Sequence, residues 1–439
     1  MNSTVSNAQF AKSQILMSAP ISPEECLTAV FAAALKAVDP LVVVPPFLPT
    51  PPQNGRTVVV GAGKAAARMA QAVEENWRGA LQGLVVTRYG HGADCHQIEV
   101  VEAGHPVPDE AGADAARRIL DLVSGLGPND MVLCLISGGG SSLLTMPAPC
   151  VTLEEKRAIN RALLLSGAPI SEMNCVRRHL SAIKGGRLAD ACGGARIVTL
   201  VISDVPGDDP AVVASGPTIP DASTSAEAIA ILDRYGIPVP EHVRTLLCDP
   251  YQRDVTISNP ANRVAIVASA QHALEAAANK AIDLGITPLI LSNRIEGEAR
   301  DVATFHAAIT RQIRDFGQPV AGPALLLSGG ETTVRVRGNG RGGRNVEFLL
   351  SLAVSLEGTS STYALACDTD GIDGSEDNAG AILRPDTLAR AQAMGLNAAE
   401  YLANNDAYSF FERLDDLIVT GPTRTNVNDF RAVLIATGD

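Results

Sequence analysis

Aromatic residues are scarce in this chain. Phe, Tyr and Trp make up 4% of its 439 residues, with a single tryptophan. Alanine and glycine (39 glycines) take their place, a composition suited to helices packed closely on a sheet. Basic residues are also few, 35 Lys and Arg against 48 Asp and Glu, for a formal net charge of −13. That balance excludes a chain built to seek nucleic acid or an anionic membrane surface, so any anion site must be a local basic island. Paired cysteines are missing. The eight cysteines are scattered without a CxxC, and Cys134, Cys175 and Cys367 sit in apolar runs. Reduced, buried thiols are expected, as in a cytoplasmic protein. No apolar run of about 20 residues offers a membrane span. The polar stretch 1–20 lacks a signal-peptide core and reads as a loose arm or the start of a helix. A short-period repeat is absent.

What is present is a large apolar fraction, 46%, and a length that suggests two or three domains. Strand-like and helix-like runs alternate. Strands are expected at 58–60, 83–87, 131–136 and 197–202, and helices at 23–38, 65–77 and 110–124. A capping box at Thr152–Glu155 starts another helix through 166. After a linker-like stretch, 248–262, strands are expected at 264–268, 287–291, 324–327 and 362–366. The pattern predicts an α/β protein in two parts: a Rossmann-like doubly wound sheet over residues 20–258 and a smaller α/β domain over 259–439, with the active site in the cleft.

Two glycine-rich turns carry the first chemical signal. Gly61-Ala62-Gly63-Lys64 and Ser137-Gly138-Gly139-Gly140-Ser141-Ser142 each end a strand and open a helix. Such a turn aims backbone N–H groups and the positive end of a helix dipole at one spot, which suits phosphate. The first turn approaches a dinucleotide fingerprint, but the next strand ends Thr87-Arg88 rather than in the acid that would hold a ribose. NAD is disfavoured, while Arg88 leaves NADPH open. The Walker spacing and the GxSxG elbow are absent. Lys64 inside the turn suits a phosphoryl clamp.

Further along, residues 174–187 concentrate Arg177, Arg178, His179, Lys184 and Arg187 around a Gly-Gly pair. This reads as an anion site or as a solvated basic face, with His179 structural. Asp204 to Asp209 and Asp368 to Asp373 gather carboxylates at strand ends. They are candidates for Mg²⁺ or for plain turns. Gly338 to Glu347 is a glycine–arginine loop entering a helix, and there Arg344 could stabilise a transferring phosphoryl group.

Taken together, Gly61-Ala-Gly-Lys64, His105-Pro-Val-Pro-Asp109, Ser137 to Ser142, Lys184-Gly-Gly-Arg187, Ser203-Asp-Val-Pro-Gly-Asp208, Ala214-Ser-Gly-Pro217, Ser328-Gly-Gly-Glu331, Gly342-Gly-Arg-Asn345 and Asp368-Thr-Asp-Gly371 resemble the class II glycerate kinases, whose C-terminal part is called the MOFRL domain. The motifs run in family order across nearly the whole chain. The resemblance implies transfer of the ATP γ-phosphoryl group to D-glycerate, giving 2-phosphoglycerate, with Mg²⁺. It also implies Lys64 and Arg344 as the catalytic cations; because a phosphoryl site open to water would hydrolyse ATP wastefully, domain closure is expected to bring Arg344 to the phosphates. On this reading Asp204 is catalytic. Gly61, Gly63 and Ser137 to Ser142 bind nucleotide phosphates; Lys184, Arg187 and Asn345 bind substrate; Asp208, Asp368 and Asp370 hold metal. A homodimer is compatible with it. Relatives are often labelled hydroxypyruvate reductase, and an NAD(P)H-dependent reductase of tartrate or glyoxylate metabolism is the alternative; a sugar-phosphate-binding regulator is a third reading. Two positions depart from the family: Cys150 stands where glycine follows Pro-Ala-Pro, and Arg424 replaces the glycine of a C-terminal Gly-Pro-Thr-Gly-Thr-Asn-Val-Asn-Asp string.

Overall fold

The fold is that of a computed structural model that describes residues 21–249, 259–358 and 361–436. The readings for 1–20 and for most of the linker-like stretch 248–262 lie outside the described residues.

The first sheet contains β1 (Thr57–Ala62), β2 (Gln82–Arg88), β3 (Ile98–Ala103), β4 (Met131–Ser137), β5 (Arg196–Ile202) and β6 (Arg263–Ala268) in the order β3-β2-β1-β4-β5-β6. Every pairing in it is parallel. This is the doubly wound Rossmann order, whose direction reverses between β1 and β4. The central strands are buried along their whole length, as expected when helices cover both faces. β6 lies beyond residue 258 yet hydrogen-bonds to β5, so it belongs to the first sheet and not to the C-terminal part, where the sequence reading put it.

The second sheet contains β7 (Thr287–Glu298), β8 (Ala324–Thr333), β9 (Thr362–Asp368), β10 (Gly380–Leu383), β11 (Leu417–Ile418) and β12 (Asp429–Ile435) in the order β11-β10-β9-β12-β8-β7. Only β7 and β8 run parallel; the other pairings are antiparallel. The strand–helix alternation of 264–366 led to the α/β reading, but β12 enters from the end of the chain and reverses the direction in the middle of the sheet.

Helix Pro23–Ala37 packs on helix Ala270–Asp283. The pair fills the space between the two sheets. Val59, Leu133 and Leu200 of the first sheet and Leu325, Leu365 and Phe430 of the second therefore share one core. Phe31 meets Phe430 with ring centroids 5.4 Å apart. A capping box at Ser22 and Glu25 starts the first helix, and the one predicted at Thr152 and Glu155 starts helix Leu153–Leu165. That helix joins Ile170–His179, Ser225–Arg234 and Glu241–Cys248 in a separate helical cluster beside the first sheet. Among the described residues no single helix is long and apolar enough to cross a membrane.

Both departures from the family's glycines fall in left-handed backbone, Cys150 at φ 67° and Arg424 at φ 61°. Glycine suits these positions for its conformation. Arg424 also leaves its buried Nε without a partner. A left-handed side-chain residue costs about 1–2 kcal/mol, and the extra freedom of glycine in the unfolded chain returns about half of that. Cys150→Gly and Arg424→Gly should each raise stability by about 0.5–1 kcal/mol. Urea unfolding midpoints of the two variants check this.

Candidate active site

The two glycine turns lie at the carboxyl ends of β1 and β4, on either side of the point where the strand order reverses. They do different work. In the first turn the amides are already used. Gly63 N donates to Val86 O (3.0 Å), Lys64 N to Gly138 O (2.8 Å) and Ala65 N to Ser137 Oγ (3.0 Å). A Cβ at Gly61 would lie 2.1 Å from Leu135 O, and one at Gly63 would lie 2.1 Å from Ser137 Oγ. Gly61, Gly63 and Ser137 thus lock β1 to β4, and the phosphate-cradle reading of these three is corrected. What the turn delivers is the Lys64 side chain. In the second turn, by contrast, among the described residues no hydrogen bond uses the amides of Gly138, Gly140 or Ser141. Gly138 is glycine because a Cβ there would sit 1.9 Å from Asp204 Oδ2. Ser142 Oγ donates back to Gly139 O at 3.1 Å, which stiffens the turn.

Lys64 crosses to the second sheet. Its Nζ meets Asp370 Oδ2 at 2.5 Å. Burial works against its charge, but Asp370, Asp368 and Asp204 together hold the ammonium above its ordinary pKa. Burial likewise works against the Asp370 charge, and Lys64 outweighs it, holding the carboxyl below its usual range. Asp368 is pushed well up, first by burial and then by repulsion from Asp370.

Arg344 opens helix Arg344–Leu356, where the Asp373 carboxylate accepts from the amides of Asn345 (3.1 Å) and Val346 (2.9 Å). Its fork reaches Asp429 through Nε (2.6 Å) and Asp368 through Nη2 (2.8 Å), with Nη1 3.7 Å from Glu331. Asp429 is itself held by the buried Arg431 and by Asn345 Nδ2 at 2.9 Å. Asn345 therefore orients Asp429 and Asp373 from inside the core, which corrects its assignment to substrate.

These elements border a cavity of about 850 Å³ between the two sheets. Its lining includes Gly139, Ser141, Asp204, Glu296, Glu331 and Arg344. Arg344 already shares this space with the second glycine turn, so the expected closure is not needed to bring it there. Asp204 sits at the floor, where Asn426 Nδ2 donates to its Oδ2 at 3.2 Å and Asn428 donates to its backbone oxygen. Burial, then the charge of Glu331, push the Asp204 carboxyl up to about 6, against the pull of Lys64. Glu331 is also raised, by desolvation first and by Asp429 and Glu296 after it, against Arg344 and Lys64.

Several sequence-predicted residues fall elsewhere. Lys184 is buried, and its Nζ donates to Ser141 O (2.8 Å) and Leu144 O (3.0 Å), so it supports the second turn from behind. Arg187 Nη1 donates to the Arg178 and Lys184 carbonyls, both at 3.0 Å, and borders a different groove. His179 Nδ1 lies 2.9 Å from Cys175 O, a structural role as expected. Within that basic run, Arg177 and Asn174 reach the cavity. Asp208 does not line the cavity, and the described residues contain no cluster of three or more metal-ligating side chains. Asp368 and Asp370 are engaged by Arg344 and Lys64. The sequence reading missed the roles of Glu296, Glu331, Asn426, Asn428 and Asp429. Glu331 and the 421–429 string stood in the family motifs, but nothing in them said which way the side chains point.

Two family models match, a domain of unknown function (DUF4147) over residues 26–248 and the MOFRL family over residues 324–429. A D-glycerate 2-kinase of Thermotoga maritima is 43% identical over 382 residues, spanning 87% of this chain and 91% of its own length. The chain belongs to the class II glycerate kinase (MOFRL) family. A crystal structure of a Thermotoga maritima glycerate kinase superposes with a TM-score of 0.86 at 40% identity, covering 94% of this chain and 99% of that one. A family member from Agrobacterium vitis, 53% identical over 94% of this chain and 95% of its own length, carries a provisional hydroxypyruvate reductase name.

The Lys64 side chain is 14% exposed and that of Asp370 1%, so the pair is structural as well as chemical, and Lys64 is no freely solvated loop residue. Removing one partner of a buried pair costs about 3–5 kcal/mol because the other charge is stranded. Lys64→Ala should therefore lower the melting temperature. The double variant Lys64→Ala with Asp370→Asn should recover most of that loss while remaining inactive. Calorimetry of the cycle reads the coupling.

Proposed function

We propose that this protein is a glycerate 2-kinase that moves the γ-phosphoryl group of ATP to the 2-hydroxyl of D-glycerate with Mg²⁺. The observation that carries the reading is that Arg344, the second glycine turn and Asp204, a carboxylate without an ion-pair partner among the described residues, line one cavity, with Lys64 packed beside Gly139 at its edge. Phosphoryl transfer asks for positioned cations and donors, a metal and a proton acceptor. In the reaction the hydroxyl oxygen forms a bond to the γ-phosphorus, the bond from that phosphorus to the β-bridging oxygen breaks, and ADP leaves. The hydroxyl proton passes to Asp204. Raised to about 6, this carboxylate is still ionised at neutral pH, yet basic enough to accept a proton.

The amides of Gly138, Gly140 and Ser141 cradle phosphate oxygens, joined by Arg177 at the cavity wall. Arg344 faces the charge that builds on the transferring group. For Mg²⁺ the donor set is Glu331 and Glu296, register partners on β8 and β7 that face the cavity. Like charges set side by side on adjacent strands repel, and a divalent cation bound by one or two carboxylates plus phosphates relieves that repulsion. When bound it neutralises charge between the phosphates. A reductase would need a nicotinamide cleft, and the turn after β1 has its amides occupied by the chain itself, which weakens that alternative. A cytoplasmic location and a homodimer belong to the same proposal.

The test is ATP, Mg²⁺ and D-glycerate in one assay, and NAD(P)H with hydroxypyruvate in another. ADP and 2-phosphoglycerate are expected from the first. Reductant oxidation without ADP release would overturn the reading. Since Asp204 must be ionised to act as base, kcat/KM should fall as pH drops through about 6. Asp204→Asn should remove that limb and about two to four decades of rate. Its melting temperature at pH 7 should not fall, because a buried charge is removed. Arg344→Lys keeps one charge but loses the planar fork shared by Asp368 and Asp429. About a thousandfold loss in kcat is expected, with a much smaller change in ATP affinity, read by single-turnover kinetics and nucleotide titration.

A further inference from the structure

Beside the main cavity, on the far side of Gly139, lies a group of side chains that the mechanism above does not use. His91 follows β2 and His105 follows β3, so both stand at carboxyl ends of the first sheet, where ligands of such sheets bind. His91 is fully buried, and neither of its ring nitrogens has a hydrogen-bond partner. A buried polar group without a partner is costly, and it calls for an explanation at each site where it persists. The His105 ring lies against the second glycine turn: a Cβ on Gly139 would be 3.0 Å from its Cδ2 and Nε2 and 3.3 Å from Lys64 Cγ. Arg88, at the end of β2, accepts the His91 amide on its carbonyl at 3.0 Å, and its charge acts on both rings.

The loops that carry these groups are fixed from behind. Glu102 accepts from the amides of Gly90 (3.1 Å) and Gly92 (3.0 Å), clasping the turn around His91. Asp109 accepts from Gly104 N (2.9 Å), Gly112 N (3.0 Å) and Tyr89 Oη (2.8 Å), tying the His105 loop to that turn. Such outer support is what a preorganised binding site requires.

We propose that His91, His105 and Arg88, together with Lys64, form the pocket that takes the carboxylate of the acceptor hydroxy acid and so sets its hydroxyl toward the second glycine turn. The inference rests on the kinase reading for the identity of the acceptor. The chemistry matches a small monoanion. Two imidazoles supply N–H donors and two cations supply charge, while the nearby anions are already engaged, Asp370 by Lys64 and Glu102 by the amides of Gly90 and Gly92. Burial, then the neighbouring charges, hold His91 down at about 4 and His105 at about 3, so both rings are neutral at pH 7. Each then keeps one donor and one acceptor nitrogen, which recognises a carboxylate next to a hydroxyl better than a bare cation does.

The test compares D-glycerate with glycerol, which has CH₂OH in place of the carboxylate. In His105→Leu and in Arg88→Gln, KM for D-glycerate should rise about ten- to a hundredfold, the size of a lost hydrogen bond to a charged group. KM for ATP should stay within about twofold, and the preference for D-glycerate over glycerol should shrink by the same factor as the KM change. His105→Gln, which keeps a donor, should recover part of the loss. An unchanged KM for D-glycerate, or an equal rise in KM for ATP, overturns the pocket. Calorimetric titration of D-glycerate into the wild-type protein and His105→Leu separates this from the kinase reading. If the wild type binds D-glycerate, His105→Leu does not, and no ADP is formed, the pocket stands and the kinase reading falls. If the wild type binds no D-glycerate, the pocket falls.

Discussion

One ion pair joins the two halves of the site. Lys64, set by the turn after β1, meets Asp370, set by the turn after β9, 306 residues further along the chain. Neither charge could stay buried alone, because an unpaired buried charge is expensive. The pair therefore fixes the distance between the carboxyl ends of the two sheets. It sits in a wider array of carboxylates at the end of the second sheet: Asp368, Asp370, Asp373 and Asp429. Each of these holds a cation or a helix start, and through them Arg344 is held at the cavity and Lys64 beside Gly139 at its edge.

This arrangement explains how an acidic protein makes an anion site. The cations at the site are not a surface patch. They are drawn in and oriented by carboxylates that lie behind them, which also keeps Arg344 and Lys64 fully charged at neutral pH. Asp368 and Asp370 of the 368–373 segment thus position cations. The carboxylates left for chemistry are those without a cationic clamp at hydrogen-bond distance: Asp204 on the first sheet, and Glu296 and Glu331 on the second. The fold's shared core, with helices Pro23–Ala37 and Ala270–Asp283 between the sheets, gives the cavity two firm walls. Pocket and clamp are separable in role. The amides of Gly138, Gly140 and Ser141 suit phosphate, and the histidine group beyond Gly139 suits the acceptor.

Much of the first sheet was legible in the sequence. Apolar runs followed by glycine turns marked β1 and β4, and with β2, β5 and the intervening helices they implied a doubly wound sheet. Family motifs in order identified the chain's relatives and singled out Lys64 and Arg344. The second sheet was read only in part. β12 pairs with both β8 and β9, and no local pattern tells a terminal strand to insert in the middle of a sheet. For the same reason β6 was given to the wrong sheet: its alternation of residues is equally compatible with either.

The sequence by itself determined which residue types could act and where strands would end, because glycine, proline and apolar periodicity act over a few residues. Only the tertiary structure decided which amides and charges remain free. Gly63, Lys64 and Ala65 look like a phosphate cradle in one dimension, and partners on β2, on β4 and in the second glycine turn occupy their amides in three. Lys184 looks like a substrate lysine, and burial against the Ser141 and Leu144 carbonyls makes it a prop. Availability depends on long-range pairing and burial, and those are set by contacts between residues far apart in the chain.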